Sequence, residues 1–330
     1  MEQTPTARSS RVVDPRETLD RALTGDRRSL ARLISAVEER SDAAVAIGRR
    51  LAPLAGTAHV VGITGAPGVG KSTTTSALVS LWRSRGHRVA VVAIDPSSPF
   101  TGGALLGDRI RMTEHSTDPE VFIRSMAARG QLGGLSAATP GAIRVLDACG
   151  FDIVVVETVG VGQNEVDVVR FADTVLIAMA PGMGDRIQAN KAGLLEIGDV
   201  IAVNKSDRPG ADATRRELRA MISAKPLHEG EWRPPVLGIT AAEGVGIDKL
   251  ATALADHHQT AMDSGQLAVR RAARTSAEIT SLAEESVAQR IADRRGDLAG
   301  LSAQVLSGEL DPYAAADQLL ADIGVTGEGR

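Results

Sequence analysis

Aromatic residues and cysteines are scarce in this chain of 330 residues. Phe, Trp and Tyr make up 2% of it, so its core must be built mainly from Val, Leu, Ile and Ala. So few rings also argue against a surface that stacks nucleic acid bases. The single cysteine, Cys149, has no partner for an intramolecular disulfide, which fits a reducing compartment. Because Cys149 stands beside an apolar run, we predict a buried structural thiol.

Long apolar runs and blocks of like charge are also missing from the sequence. No run approaches the roughly 18 residues that a membrane helix needs, and the polar segment 1–15 lacks a signal-peptide core. The net charge is −4, and basic pairs such as Arg49-Arg50 are scattered among acidic residues. This pattern argues against nucleic acid as a partner. We therefore expect a cytoplasmic protein that contacts neither nucleic acid nor membrane.

Transition-metal chemistry finds little support among the six histidines. His257 and His258 are adjacent, so on a helix their side chains would point in different directions. The sequence has no Cys/His cluster of the kind that binds zinc or nickel. It also shows no spacing typical of a Ser-His-Asp or paired-carboxylate hydrolase.

Helical patterns occupy both ends of the chain. Apolar residues from Leu19 to Val37 recur at helical spacing and predict two or three helices that end near Pro53. Beyond about residue 255, an Ala-, Arg- and Glu-rich stretch with a sparse apolar stripe predicts long helices. Such a stripe cannot easily be buried within one chain, so it also predicts a homodimer. The predicted regions are an N-terminal helical extension (1–57), a central domain (58–255) and a C-terminal helical dimerisation region (256–330).

The last short helix has a clear start signal. Asp311 is a typical N-cap and Pro312 suits the first helical turn. Leu319, Leu320 and Ile323 follow at helical spacing, so this helix also has an apolar side to bury.

The central region alternates short Val- and Ile-rich runs with helix-length stretches. Continuous apolar runs of this kind are typical of strands buried on both faces, and hence of a mostly parallel sheet flanked by helices. The predicted strands are residues 60–63, 89–94, 153–156, 174–179, 200–203 and 236–239. The predicted fold class is therefore α/β.

A phosphate-binding loop follows the first predicted strand. Residues 65–72 read GAPGVGKS and match G-x-x-x-x-G-K-S. The glycines let backbone N–H groups turn towards an anion, Lys71 reaches the β and γ phosphates, and the Ser72 hydroxyl suits Mg²⁺. A strand before and a helix after distinguish this loop from an ordinary Gly-rich turn. The predicted nucleotide-binding residues here are Gly65, Ala66, Pro67, Gly68, Val69, Gly70, Lys71, Ser72 and Thr73.

A second loop indicates guanine. Residues 204–207, Asn-Lys-Ser-Asp, follow the strand at 200–203 and have the N-K-x-D form. Asp207 would accept hydrogen bonds from the N1–H and 2-amino groups of guanine, a pair that adenine does not offer. Asn204 and Lys205 would brace the loop and cover the base. After the last strand, the segment Thr240, Ala241 and Ala242 resembles the S/T-A-x loop whose backbone N–H contacts the guanine oxygen.

Residues that would sense the γ-phosphate lie between these two loops. Glu157 and Gly160 form an E-x-x-G segment at the end of a strand. The acid would hold Mg²⁺ directly or through water, and the Gly160 N–H would meet the γ-phosphate. Asp95 and Asp108 are further carboxylates near the phosphates in chain order. For both, a role as helix cap or turn former is the alternative.

The usual water-positioning glutamine is displaced. Val161 follows Gly160, and the nearest candidate is Gln163. We therefore expect slow intrinsic hydrolysis and a site that a partner or a loop rearrangement completes. The segment 181–191, with its glycines and three charges, is a candidate for the moving element, although its composition also fits an ordinary surface loop.

Five ordered segments together resemble one known family. GAPGVGKST (65–73), DPSSPFTGGALLGDRIRM (95–112), ETVGVGQ (157–163), PGMGDRIQANKAG (181–193) and NKSD (204–207) look like the methylmalonyl-CoA mutase-associated GTPases of the MeaB/ArgK type. The resemblance spans nearly the whole chain. It implies a homodimeric P-loop GTPase that converts GTP to GDP and phosphate. It also implies a chaperone that gates cofactor loading of an adenosylcobalamin-dependent methylmalonyl-CoA mutase and protects that mutase.

The same resemblance assigns roles to individual residues. It implies Mg²⁺ ligands, or residues close to the ion, at Ser72, Asp95, Asp108 and Glu157. It places Lys191 in a switch loop coupled to the partner. The resulting candidate catalytic residues are Lys71, Glu157, Gln163 and Lys191.

Two other functions stay open. Members of this family have also been described as kinases of an amino-acid (arginine/ornithine) transport system that act on periplasmic binding proteins. The guanine-reading loop argues against that function, because a kinase that uses ATP has no need for Asp207. A metal-insertion GTPase is the third possibility, but the expected Cys/His relay is missing.

Overall fold

The computed structural model describes residues 14–39, 42–96, 114–128, 138–158, 168–182, 195–224, 226 and 231–325. Contacts divide the chain into two compact units, residues 1–271 and residues 272–330. No helix of these described segments is long and apolar enough to cross a membrane.

The first unit is built on a parallel sheet. Its described strands are β1 His59–Thr64, β2 Val89–Pro96, β3 Val121–Ala128, β4 Ile153–Thr158, β5 Thr174–Met179, β6 Val200–Val203 and β7 Val236–Gly238. They are arranged in the order β3-β2-β4-β1-β5-β6-β7, and each neighbouring pair is parallel. The predicted α/β class is therefore confirmed. Since β1 lies in the centre, the loop after it opens at the middle of the sheet's carboxyl edge.

Strand β3 was not predicted from the sequence. Its segment, VFIRSMAA, is interrupted by Arg124 and Ser125, so it lacks the continuous apolar run of a strand buried on both faces. The structure accommodates the polar side chain because β3 is an edge strand. Arg124 reaches the N-terminal helices, where it donates to Ser35 at 3.0 Å and pairs with Glu38.

Both faces of the sheet are covered by apolar side chains. Alternate residues of a strand point to opposite faces, so Val60 and Val154 pack into one core while Val61 and Val155 pack into the other. The helices that flank the sheet in this unit are α4 Lys71–Ser84, α5 Thr139–Ala148, α6 Ala211–Ala224 and α7 Ile247–Asp263. Cys149, which follows α5, is buried as predicted, and its burial raises the pKa of its thiol to about 11.

Three N-terminal helices belong to the same core. They are α1 Pro15–Leu23, α2 Arg27–Glu39 and α3 Asp42–Leu51, which agrees with the predicted two or three helices before Pro53. Asp14 caps α1 through its side chain, which accepts from the Arg16 amide at 2.8 Å. Leu19, Leu33 and Ile34 are fully buried in the core that also contains Val60. The extension therefore packs onto the sheet.

The next helix is α8 Gln266–Asp293. Two arginines in its first turns bind aspartates at the amino edge of the sheet. Arg270 donates to both carboxylate oxygens of Asp199 at 2.9 Å, and Arg271 donates to both of Asp173 at 2.7 and 3.1 Å. Burial alone would raise the pKa of Asp199, but hydrogen bonds from His257 and Arg270 hold it below its ordinary value. Each of these charges is therefore compensated by a direct partner.

A histidine network lies at the same edge. His59 Nε2 contacts Thr174 Oγ1 at 2.8 Å, Thr174 Oγ1 contacts His257 Nδ1 at 2.8 Å, and His257 Nε2 lies 3.1 Å from Asp199. The ring of His258 stacks on that of His59 with centroids 4.0 Å apart. Burial, with the nearby charge of His258, lowers the pKa of His59 to about 3. Thr174 is fully buried, so this Thr-His-Asp array has no access to a substrate.

The second unit consists of helices. It contains the later part of α8, α9 Arg295–Ser307 and α10 Pro312–Asp322. Asp311 accepts from the amides of Tyr313 and Ala314, which confirms the predicted cap. Leu301 and Leu319 pack together. Ile279 and Leu282 of α8 are 63% and 46% exposed, whereas Leu267 is buried, so part of the predicted apolar stripe is exposed in the single chain.

Candidate nucleotide site

The phosphate loop connects β1 to α4, and its backbone requires glycine. Gly65, Gly68 and Gly70 have φ values of 141°, 80° and 94°, which side chains rarely adopt. A Cβ at Gly65 would also overlap the backbone carbonyl oxygen of Ala178 in the adjacent strand β5. The loop therefore lies tightly against the sheet edge, as close approach to a phosphate requires.

Lys71 is folded back over this loop. Its Nζ donates to the carbonyl oxygens of Gly65 at 2.6 Å and Ala66 at 3.2 Å. The residue is only 7% exposed. Its ammonium is thus held at the centre of the loop, among backbone groups that a phosphate would approach.

Glu157 stands beside the phosphate loop because β4 is the neighbour of β1. In the register of these strands Glu157 pairs with Ile63. Its carboxylate accepts from the hydroxyl of Ser72 at 2.7 Å and from that of Thr75 at 2.8 Å. Glu157 is 1% exposed, so these hydrogen bonds help to compensate for burying its carboxylate.

Asn204 joins the phosphate loop to the segment 240–242 after β7, which we call the base loop. Its Nδ2 donates to the carbonyl of Val69 at 2.9 Å, and its Oδ1 accepts from the amide of Ala241 at 3.0 Å. Lys205 reaches the same loop and donates from Nζ to the carbonyl of Gly68 at 2.7 Å. Three segments distant in sequence are therefore held together by two adjacent side chains.

Asp207 lies next to the predicted S/T-A-x segment. Its carboxylate is exposed, and the hydroxyl of Thr240 lies 3.5 Å from it, too long for a strong hydrogen bond. Thr240 and Ala241 are buried, whereas Ala242 is exposed. The carboxylate can thus accept hydrogen bonds from a ligand placed against this loop.

Oxygen ligands suitable for Mg²⁺ meet at one point. The Ser72 hydroxyl and the Glu157 carboxylate are in direct contact, and hydroxyl and carboxylate oxygens are the donors that Mg²⁺ prefers. The backbone of Asp95 lies at the carboxyl end of β2, where it pairs with Ala127. Across the segments that the structure describes, no group of three or more His, Cys, Asp or Glu side chains is arranged to hold a metal.

Several predicted site residues lie outside the described residues. They are Asp108, Gly160, Gln163 and Lys191, together with the side chain of Asp95.

Thr75 and Ala178 were missed by the sequence analysis. Thr75 stands three positions after Ser72 on α4 and so lies on the same face of the helix. That spacing is a usable signal, but only once Glu157 is known to lie opposite. No pattern in the sequence indicated Ala178. Its carbonyl lies against Gly65 only because β1 and β5 are paired in the folded sheet.

Comparison with known proteins agrees with this geometry. The family model of the methylmalonyl-CoA mutase-associated GTPase MeaB matches residues 30–295. A protein of Pyrococcus horikoshii that is named as a GTPase is 47% identical to this chain over 309 residues. The matched residues cover 93% of this chain and 98% of that protein. The GTPase ArgK of Escherichia coli is 38% identical over 260 residues, covering 76% of this chain and 78% of ArgK.

A solved structure extends the likeness to the whole fold. The crystal structure of a LAO/AO transport system kinase is similar to this chain with a TM-score of 0.68 and 26% identity, covering 97% of this chain and 100% of the other. With its family match, its parallel sheet and its phosphate loop, the chain belongs to the MeaB family of methylmalonyl-CoA mutase-associated GTPases.

Proposed function

We propose that this protein binds GTP with Mg²⁺, hydrolyses it slowly to GDP and phosphate, and acts as a chaperone of an adenosylcobalamin-dependent methylmalonyl-CoA mutase. In this proposal it gates cofactor loading and protects the mutase. We also propose that it works in the cytoplasm as a homodimer. The mutase partner is supported by the description of the family, and the nucleotide by the residues of the site.

One observation carries the nucleotide part. Asn204 ties the carbonyl of Val69 in the phosphate loop to the amide of Ala241 in the base loop. Phosphates and base of one nucleotide must be bound at a fixed separation, and a buried side chain that spans both loops sets that separation. The exposed carboxylate of Asp207 beside Thr240 then selects guanine by its hydrogen-bond pattern.

Lys71 would exchange partners when the nucleotide binds. Its hydrogen bonds to Gly65 and Ala66 hold the ammonium at the loop centre. Phosphate oxygens carry more negative charge than carbonyl oxygens, so they would make stronger, charge-assisted hydrogen bonds with Lys71. Lys71 then stabilises charge on the β and γ phosphates.

Ser72 and Glu157 fit a magnesium ion, and Asp95 and Asp108 are proposed to lie near it. When bound, the ion neutralises charge that develops on the phosphate oxygens. Thr75 donates to Oε2 of Glu157, whereas Ser72 donates to Oε1. We also propose that Gly160 binds the γ-phosphate, that Gln163 positions the water and that Lys191 couples the site to the mutase.

The proposed dimer rests on exposed apolar surface. Ile279 and Leu282 of α8 are largely exposed in the single chain, and burial of such residues stabilises association. We propose that the C-terminal region 256–330 makes this contact. Light scattering on the full chain with Ile279→Asp and Leu282→Asp should then report a monomer, whereas a persistent dimer would place the contact elsewhere.

The chaperone function is tested with purified mutase. We expect intrinsic hydrolysis well below the typical enzyme turnover of about 10 s⁻¹ and a clear acceleration when the mutase is added. Lys71→Ala should abolish hydrolysis in both conditions, whereas Lys249→Ala, an exposed lysine on α7, should change neither. Lys191→Ala should remove the acceleration while GTP affinity is kept. If the mutase changes neither hydrolysis nor cofactor transfer, the chaperone proposal is wrong.

A transport-system kinase is the second candidate. It is favoured by the similarity to the crystal structure of a LAO/AO transport system kinase. Transfer of labelled phosphate from GTP or ATP to an amino-acid-binding protein tests it directly. Transfer that Lys71→Ala abolishes would support the kinase, and its absence alongside mutase-stimulated hydrolysis would reject it.

A further inference from the structure

A pocket of about 490 Å³ lies along α4 beside the nucleotide site. Thr73 of the phosphate-loop segment and Ala241 and Ala242 of the base loop contribute to its wall. One part of the pocket therefore borders residues of both predicted nucleotide-binding segments. Its volume is in the range of small-ligand pockets.

The rim of this α4 pocket is rich in hydrogen-bond acceptors. Glu114, Asp248, Ser76 and Ser80 stand around it, and none of the described residues that line it is basic. A ligand group that donates hydrogen bonds and carries no negative charge is therefore favoured. Asp248 is paired with Arg85 at 3.0 Å, so Glu114 is the carboxylate of this rim that would repel an extra phosphate.

Glu114 is held in place by its neighbours. The hydroxyl of Ser76 donates a hydrogen bond to Oε1 of Glu114. Since this uses the only hydroxyl hydrogen, Ser76 Oγ accepts a hydrogen bond from Nε2 of His115 at 3.0 Å. His115 is buried, whereas the Glu114 side chain is 66% exposed. A carboxylate has about four acceptor positions, so Glu114 keeps capacity for further donors.

The covalent order of a nucleotide decides which part would reach this pocket. Lys71 and Ser72 mark the phosphate end of the site, and Asp207 with Ala241 marks the base end. The ribose connects the two, and Thr73 and Ala241, which follow Ser72 and belong to the base end respectively, both line the α4 pocket. Its 2′ and 3′ hydroxyls are a neutral donor pair, as the acidic rim favours.

We propose that the α4 pocket receives the ribose of the guanine nucleotide and that Glu114 accepts hydrogen bonds from its 2′ and 3′ hydroxyls. This inference rests on the proposed function, because it places the ribose of the nucleotide that the two loops bind. Glu114 thereby makes the site selective for ribonucleotides over deoxyribonucleotides, a property that the two loop motifs do not supply.

Calorimetry with GTP and 2′-deoxyGTP tests the assignment. The unmodified protein should bind GTP about tenfold more tightly, the range expected for a hydrogen bond to a charged group. Glu114→Ala should weaken the binding of both nucleotides, because both keep the 3′ hydroxyl, and should weaken GTP more, so that the ratio of the two affinities falls to about one. Glu114→Gln, which keeps one acceptor oxygen, should retain part of the discrimination. Asp256→Asn, an exposed carboxylate of α7 outside the pocket, should leave the ratio unchanged.

The outcomes separate this inference from the proposed function. Equal affinities for GTP and 2′-deoxyGTP in the unmodified protein, with guanine still preferred over adenine, would overturn the role of Glu114 alone. A tenfold ratio that persists in Glu114→Ala would do the same. Failure of every guanine nucleotide to bind would instead reject the proposed function. Thermal unfolding without nucleotide shows whether the Glu114 variants are folded. Binding of 2′,3′-dideoxyGTP, which lacks both hydroxyls and should not change in Glu114→Ala, shows whether the loss is specific to the ribose hydroxyls.

Discussion

A Cβ at Gly70 would overlap the side-chain amide nitrogen of Asn204. This close approach lets Asn204 reach the carbonyl of Val69 and thereby join the phosphate loop to the base loop. Gly70 also has a φ of 94°, which a side chain would strain. Position 70 is thus constrained by both its backbone and its neighbour.

We predict that Gly70→Ala abolishes GTP binding, because the added methyl displaces Asn204 and opens both loops. Gly68→Ala is the matched control: its φ is 80°, but nothing lies within 4 Å of the added Cβ. It should cost about 1 kcal/mol of backbone strain and weaken GTP binding by at most about fivefold. Calorimetry compares them, and similar affinities for the two variants would show that the Asn204 contact is unimportant.

Asp207→Asn should change base preference from guanine to xanthine. The amide replaces an acceptor by a donor, which matches the 2-oxo group of xanthine in place of the 2-amino group of guanine. Loss of a hydrogen-bonded charge pair costs about 2 to 5 kcal/mol, so GTP affinity should fall at least thirtyfold while xanthosine triphosphate gains. Competition against a fluorescent nucleotide measures both, and ATP affinity serves as the control because it should not change.

Thr75 should act on hydrolysis through Glu157. Thr75→Val removes the hydroxyl that donates to the carboxylate at 2.8 Å and keeps the side-chain shape. We expect hydrolysis to slow by about tenfold and the Mg²⁺ concentration for half-maximal rate to rise. Thr75→Ser, which restores the hydroxyl, should behave like the unmodified protein. An unchanged Mg²⁺ dependence in Thr75→Val would mean that Glu157 does not work through the metal.

His59 should make stability depend on pH. Its folded pKa of about 3 lies below its ordinary value of 6.5, so below pH 6.5 the unfolded chain binds a proton that the folded chain does not. The contribution of His59 to the free energy of unfolding is therefore constant above pH 6.5 and falls as the pH drops from 6.5 towards 3. Well below pH 6.5 it falls by about 1.4 kcal/mol per pH unit.

Urea unfolding between pH 5 and 7 measures this dependence. His59→Gln should flatten the slope, since Gln keeps a polar contact with Thr174 but does not titrate. A slope equal in both proteins would show that His59 is protonated in the folded state or that its burial is relieved.

The amino-acid sequence alone predicted the two nucleotide loops. Residues 65–72 and 204–207 are local patterns, and a phosphate loop or a base-reading carboxylate works through a few neighbouring residues. Continuous apolar runs likewise determined the strands that are buried on both faces, such as β1 and β6. The edge strand β3 was not predicted, because Arg124 interrupts its apolar run and is accommodated only through its contacts with α2.

Only the tertiary structure decided how the loops cooperate. The contacts of Asn204 with Val69, of Gly65 with Ala178, and of Glu157 with Thr75 all depend on which strands are neighbours and in what register. Strand order arises from the packing of the whole core, which no local pattern contains. For the same reason Glu114 carried no signal in the sequence: its relation to Ser76 and to the base loop exists only after α4, β3 and α7 have packed together.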